Sequence, residues 1–269
     1  MAELFDLGRK LSCAPFHFPM DEAAWNRSMY TDIDSDGRTL FDTLETKATD
    51  DALIQYGRTA FGFGESGGIS DAVRYQVIRM LCFTDPTQGQ QLLDQVMASF
   101  DPAQRIYAFF HYFGMSACGR HGKLHESEKH VEALLFANGF TVEHENVYYS
   151  RTLHGNDPTP ETVSLHWKTV SSGNCREFAA VSDGTEIGWG QIHFLPQGQI
   201  AYLRWIYIDS NRQHQGLGTA VMQALFSELY KMGIHRFDTD TALDNITAQH
   251  YYEKNGFMNR GRTRSYYTK

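Results

Sequence analysis

No stretch of this 269-residue sequence is apolar for the ~20 consecutive residues of a membrane helix, so no spanning helix is expected. Cysteine is scarce. The four present, Cys13, Cys82, Cys118 and Cys175, form no C-x-x-C pair. That excludes a zinc knuckle and a dithiol redox motif, and scattered thiols suit a reducing cytoplasm. Positive charge is outnumbered: 24 Lys and Arg face 32 Asp and Glu, a formal charge of −8. Nucleic acid is therefore not an expected partner, because its binding needs clustered Lys and Arg. The opening MAELFDLGRK has no apolar h-region, so no signal peptide is expected. The acceptor patterns Asn26-Arg27-Ser28 and Asn245-Ile246-Thr247 then carry no glycosylation argument. Metal-ligand spacing is also missing. His125 and His130 are five apart, not four, and read as part of a solvated helix face with no metal.

What is present is an ordinary globular balance, 42% hydrophobic and 21% charged. Residues 151–162, RTLHGNDPTPET, combine Gly and Pro with little apolar character and read as a linker. They divide the chain into domains 1–152 and 163–269. In the second, Arg176–Val181 and Glu186–Leu195 read as strands around an Asp183-Gly184 hairpin turn. A third strand, Ile200–Ile208, follows a turn at Pro196-Gln197-Gly198. Thr219–Met232 has helical apolar spacing and a terminating Gly233. Ile234–Thr241 alternates as a strand, Asn245–Lys254 reads as a helix, and Tyr266-Tyr267 fits a last strand. The pattern predicts an α/β domain with a mixed sheet.

The first domain repeats that order. Leu40–Thr46, Leu53–Phe63 and Tyr75–Phe83 read as strands, then helix Gln91–Phe100, strand Arg105–Phe110 and helix His125–Ala137. Asn138-Gly139-Phe140 echoes Asn255-Gly256-Phe257, and Tyr148-Tyr149 echoes Tyr266-Tyr267. The offset falls from 127 at Gly89/Gly216 to 117 at Gly139/Gly256. About ten extra residues therefore fall in the His111–Leu124 stretch. The sequence is read as a diverged duplication.

Two motifs carry chemistry. Gln213-His214-Gln215-Gly216-Leu217-Gly218 lies between an apolar strand and a helix. Bare glycine backbone and the free N–H groups of a first helical turn suit a pyrophosphate. Neither the Walker nor the Rossmann spacing is present. Downstream, Asn245, Ala248 and Tyr252 are spaced three and four apart, on one helix face.

Together these residues resemble the GNAT acetyltransferase superfamily: Gln213-x-x-Gly216-x-Gly218, Asn245-x-x-Ala248, then Tyr252-Glu253-Lys254-Asn255-Gly256-Phe257. The resemblance implies two tandem GNAT-like domains and an acetyltransferase acting on a primary amine of a small molecule. Acetyl-CoA would be the co-substrate. The amides of Gln213, His214, Gln215, Gly216, Leu217, Gly218 and Thr219 would cradle its pyrophosphate. The backbone of Ile206, Tyr207 and Ile208, on a strand that splays from its neighbour, would pair with the pantetheine. Asn245 would contact the CoA arm, and Tyr252 would protonate the leaving thiolate. Many relatives place a Glu base on the strand before the glycine loop. Here that strand reads Tyr202-Leu203-Arg204-Trp205-Ile206-Tyr207-Ile208. Asp240, alternating with Asp238 on the next strand, is the first choice of base and His193 the second. A non-catalytic acyl-CoA-binding or regulatory module, and transfer of a longer acyl chain, are the alternative readings.

The N-terminal copy departs from the pattern at its loop, Thr87-Gln88-Gly89-Gln90-Gln91, and has Leu135 where Tyr252 stands. It is read as degenerate and non-catalytic. The C-terminal copy has little room for the strand and two helices that usually precede the first hairpin. Its acceptor wall is expected from the other half or from another subunit, as in a homodimer.

Overall fold

Two helices begin the chain, α1 (Ala2–Leu11) and α2 (Glu22–Thr31), in a computed structural model that describes residues 2–11, 21–31, 37–110, 112–114, 122–169, 175–195 and 199–268. Strands β1 (Phe41–Ala48), β2 (Ala52–Thr59), β3 (Gly62–Phe63), β4 (Ile69–Ser70) and β5 (Gln76–Phe83) follow. Then come α3 (Pro86–Met97), β6 (Ile106–Ala108), β7 (Leu124–His125), α4 (Lys129–Ala137) and β8 (Phe140–Thr152). The second half holds β9 (Ser164–Thr169), β10 (Cys175–Ser182), β11 (Thr185–Leu195), β12 (Ile200–Ile208), α5 (Leu217–Lys231), β13 (Arg236–Ala242), α6 (Ile246–Lys254) and β14 (Met258–Thr268). This is the mixed α/β architecture the sequence predicts. Cys13, Cys118, the turn at Pro196-Gln197-Gly198 and much of the 111–124 stretch lie outside the described residues.

The chain forms two compact units. One comprises most of the chain up to Glu145 together with residues from Arg262 onward; the other contains Asn146–Gly261. In the first, the sheet order is β1-β2-β5-β6-β14, with β5 and β6 parallel and Tyr266 opposite Ala108. Helices α1 and α2 pack Phe5, Trp25 and Met29 against Leu53 and Met80. Helices α3 and α4 bury Leu92, Leu93, Val96, Val131 and Leu135 with Ile54, Ile78 and Tyr266.

In the second unit the order is β8-β13-β12-β11-β10-β9. β12 and β13 are parallel, and Asn146–Thr152 of β8 pair antiparallel with β13. Each unit thus takes its last strand from the other half of the sequence. The exchanged strands are the ones bearing the repeated tyrosine pairs. The expected linker is tied into the second unit as well. Arg151 donates to the Asn255 carbonyl at 2.6 Å, pairs with Asp157, and stacks over Phe226, while the Leu153 N–H bonds the His235 carbonyl at 2.9 Å.

Local chemistry explains the elements. Asp183 and Gly184 have φ +50° and +71°, the two left-handed residues of a type I′ hairpin between β10 and β11. α5 buries Val221, Met222, Leu225, Phe226 and Leu229 against Phe178, Leu203 and Phe237, roughly 1.5–3 kcal/mol per large apolar side chain. α3 starts earlier than Gln91 because Asp85 caps it and Pro86 occupies its first turn. The helix expected from His125 begins at Lys129 instead. His125 is buried in β7 with Nδ1 2.8 Å from Ser127 Oγ, which corrects the solvated-face reading there; Lys129 and His130 are exposed on α4, with His130 Nε2 3.1 Å from the Phe83 carbonyl. Before the first hairpin of the second unit stands one strand, β9, with no helix among the described residues.

Candidate active site

The site is built around the end of β12. Its N-terminal part, Ile200–Leu203, pairs with Arg236–Thr239 of β13, and pairing stops there. Both strands continue, β12 to Ile208 and β13 to Ala242. The register with β11 shifts at the same level: Gln191 opposes Trp205 and Ile192 opposes Leu203, so Arg204 is an extra residue. Such a bulge bends the strand that carries it. The two parallel strands therefore diverge beyond Leu203 and Thr239.

Alternation then decides where the backbone groups point. The Asp209 N–H bonds the Ile187 carbonyl of β11, and the Tyr207 and Trp205 carbonyls crowd Gly188 and Gly190 of the same strand. Successive residues turn their N–H and C=O groups to opposite sides of a strand. Those of Ile206 and Ile208 thus face the gap that β13 has left. The Gln213 side chain donates to the Ile208 carbonyl at 2.8 Å.

After Ile208 the chain passes through a short 3-10 turn, Ser210–Arg212, and the exposed segment Gln213–Gly216. Gln215 donates to the Asn211 carbonyl at 3.0 Å. His214 (φ +61°) and Gly216 (φ +80°) are left-handed and turn the chain into α5. Gly216 is the N-cap and supplies no capping side chain. The first-turn amides of Leu217, Gly218 and Thr219 and the positive end of a 15-residue helix are thereby offered to an anion. Tyr251 anchors this turn by donating to the Gly218 carbonyl at 2.6 Å. A Cβ added at Gly218 would lie 3.4 Å from the Tyr251 ring, so the turn is bare but closely backed. An acyl-CoA fits these groups: a backbone edge for its amides and an uncapped helix end for its pyrophosphate.

Tyr252 lies on the α6 side of β13, 6% exposed, with its ring 5.7 Å from that of Tyr149 and 5.6 Å from that of Phe257. Burial raises its pKa, the Asp240 charge adds to the rise, and a hydrogen bond with the Thr239 side chain opposes it. At neutral pH the hydroxyl is a protonated, desolvated donor. Tyr149 arrives on β8 and donates to Glu253 at 3.1 Å; burial and that carboxylate push its own pKa to about 12.

Asp238 and Asp240 share the opposite face of β13 but not one environment. Asp238 is fully buried, paired with Arg236 at 2.6 Å and accepting from Tyr148 at 2.6 Å. Asp240 is half-buried and accepts from Tyr202 at 2.6 Å. Neither is a solvated strand end, and Asp240, one residue past the last β12 pair, stands at the apex of the gap. His193 is opposite Tyr202 on β11, about 10 Å in strand spacings from β13. Its side chain shares the sheet face of Tyr202 and Asp240. Asn245 caps α6, its Oδ1 accepting from the Ala248 N–H at 3.1 Å. The cap uses its Oδ1 and not its amide nitrogen. Among the described residues no three His, Cys, Asp or Glu side chains converge on a metal position.

Sequence reasoning overlooked Tyr202, Tyr149 and Tyr251, whose roles depend on contacts between distant strands. It also overlooked Trp189, Trp205 and the side chain of Tyr207. Trp189 directly opposes Tyr207, and Trp205 is two residues away on the same face. They are 43%, 59% and 46% exposed. The Trp205-x-Tyr207 alternation was the available signal.

The first unit closes its corresponding helix end. Asp85 places its own carboxylate at the N-terminus of α3, accepting from the Thr87 N–H at 2.8 Å, an interaction that lowers its pKa. Pro86 has no N–H to offer. A Cβ on Gly89 would strike the Phe83 ring at 2.6 Å, so this glycine is required by packing.

A sheet with a divergent parallel pair, an uncapped helix after the glycine loop and a buried tyrosine behind the gap define an acyl-CoA-dependent transferase fold. Residues 141–257 match the Acetyltransferase (GNAT) family. No protein of curated function matches the sequence. Among solved structures, a tandem GNAT protein from the clavulanic acid biosynthesis pathway has a TM-score of 0.65 at 11% identity over 99% of this chain and 94% of its own. A GNAT-family acetyltransferase from Colwellia psychrerythraea gives 0.54 at 11% identity over the same shares. A glucosamine N-acetyltransferase region of a fungal multi-domain GH3 beta-N-acetylglucosaminidase gives 0.63 at 9% identity, over 99% of this chain and 36% of that one. Residues 141–257 are thus similar to the GNAT family, and the fold of the whole chain is that of the tandem GNAT protein.

Proposed function

We propose that this protein transfers an acetyl group from acetyl-CoA to the primary amine of a small molecule, with the chemistry in the second unit. The observation that carries the reading is the gap beyond Leu203 and Thr239, which runs from Asp240 to the uncapped start of α5. A bound thioester supplies an electrophilic carbonyl and a thiol leaving group. The N–H groups of Ile206 and Ile208 face the gap, where they can hold pantetheine amides and meet charge developing on the carbonyl oxygen. Asp240 takes the first proton from the acceptor ammonium, freeing the nitrogen lone pair. The new C–N bond forms as the C–S bond breaks. Tyr252 gives its proton to the departing sulfur and regains one from the acylated nitrogen, so one proton in all is released.

The test is thermal. At a ligand concentration about 100 times Kd, acetyl-CoA should add about 2.7 kcal/mol of stability. Gly218→Glu should remove that shift, because the new carboxylate would extend into the anion position from a Cβ already 3.4 Å from Tyr251. An undiminished shift in Gly218→Glu would refute the site. Acetyl-CoA binding without thiol release over any amine would make the protein an acyl-CoA-binding module.

A further inference from the structure

On the face of the second unit's sheet opposite α5 and α6, charge and apolar surface are separated in a readable way. The faces follow from register. Leu203 packs in the α5 core and Ile206 and Ile208 pack against it. Tyr202, Trp205 and Tyr207 therefore face the other way, and Arg204 is the bulged residue between Leu203 and Trp205. Asp240 joins them through Tyr202.

Arg204 has no hydrogen bond or ion pair among the described residues, and its Nε is buried without a partner. A shielded guanidinium nitrogen left unsatisfied is expensive. Arg151 Nε is orphaned too, but Arg151 and the other shielded arginine of this unit each have a carboxylate. Arg236 has Asp238 and Arg151 has Asp157. Asp240 and Arg204 stand at the same level on the two sides of the diverging pair, one acidic and one basic. Just beyond Arg204 lies the exposed aromatic group Trp205, Tyr207 and Trp189, which no helix of this unit covers among the described residues.

We propose that the acceptor is an α-amino acid with an apolar, preferably aromatic, side chain. This rests on the acetyl transfer proposed above and names its substrate class. The α-ammonium meets Asp240 at the apex, beside the thioester carbonyl. The α-carboxylate meets Arg204, in the planar two-bond manner that a guanidinium favours. The side chain lies on Trp205 and Tyr207, with Trp189 as the outer wall. A polyamine would leave Arg204 unpaired and set positive charge against it. A sugar amine would leave the aromatic surface uncovered.

The experiment compares acceptors by thiol release with intact protein and saturating acetyl-CoA: phenylalanine, alanine, phenethylamine, spermidine and glucosamine. Phenylalanine should have the highest kcat/KM. Arg204→Gln should raise KM for phenylalanine roughly 10- to 100-fold, the worth of a charge-assisted contact, and leave that for phenethylamine within about 2-fold. Trp205→Ala should raise KM for phenylalanine roughly 10-fold and that for alanine by much less. Preference for phenethylamine, spermidine or glucosamine over phenylalanine would overturn the inference. So would an Arg204→Gln effect equal for phenylalanine and phenethylamine. If no amine is turned over, phenylalanine binding is read from Trp fluorescence in the presence of CoA, and absence of saturable quenching overturns it. Absence of the acetyl-CoA thermal shift is a separate failure, that of the donor site.

Discussion

Tyr252→Phe separates chemistry from structure at this site. The substitution removes one hydroxyl from a ring that packs between Tyr149 and Phe257. Thr239 loses that partner but keeps another, since its Oγ1 also donates to the Leu203 carbonyl at 3.1 Å. The stability cost should be about 1 kcal/mol or less, a fall in Tm of roughly 2–4 °C. Acetyl-CoA affinity, set by the backbone of β12 and the first turn of α5, should change by less than about 2-fold. The loss should fall on kcat, roughly 10²- to 10⁴-fold, the usual worth of a positioned acid. The pH dependence follows from the same burial. A folded-state pKa raised above the ordinary value of about 10 keeps the proton in place through that range. The wild-type rate should therefore rise with pH as the acceptor amine deprotonates, with no downturn from Tyr252 before about pH 10. Stopped-flow thiol release with calorimetric acetyl-CoA titration reads both quantities. An unchanged kcat, or a collapse of affinity, would refute the assignment of Tyr252 as the acid.

Asp240→Asn should fold normally, because the new amide oxygen still accepts from Tyr202. Its rate deficit should be largest at low pH, where the acceptor is protonated, and should shrink as pH rises; a profile matching wild type would remove Asp240 and leave His193 to be tested. Calorimetry of the intact chain should give one acetyl-CoA site, because Asp85 and Pro86 close the helix end of the first unit. A stoichiometry of two would show that the first unit retains a site.

Elements governed by local rules were legible in the sequence. The Asp183-Gly184 hairpin, the amphipathic α5 ending at Gly233 and the capped α6 each follow from a few neighbouring residues. The glycine loop was legible for the same reason. The environment of Asp240 was not, since it depends on Tyr202, 38 positions away, and on where β12 and β13 part. The bulge at Arg204 is a register event, and a side-chain period of two does not announce it. The matching tyrosine pairs announced a repeated last strand, but not which sheet that strand would join. A strand's side-chain pattern is the same whichever partner it bonds.

The exchange of β8 and β14 has a consequence for descent. A duplicated gene ordinarily frees one copy to drift or be deleted. Here the first half of the sequence contributes to the second unit Tyr149, the ring against which Tyr252 packs, and Ser150, opposite Asp238. Deleting the first half would strip the second unit of a strand, and trimming the chain's end would do the same to the first. Selection on either half therefore also preserves the other.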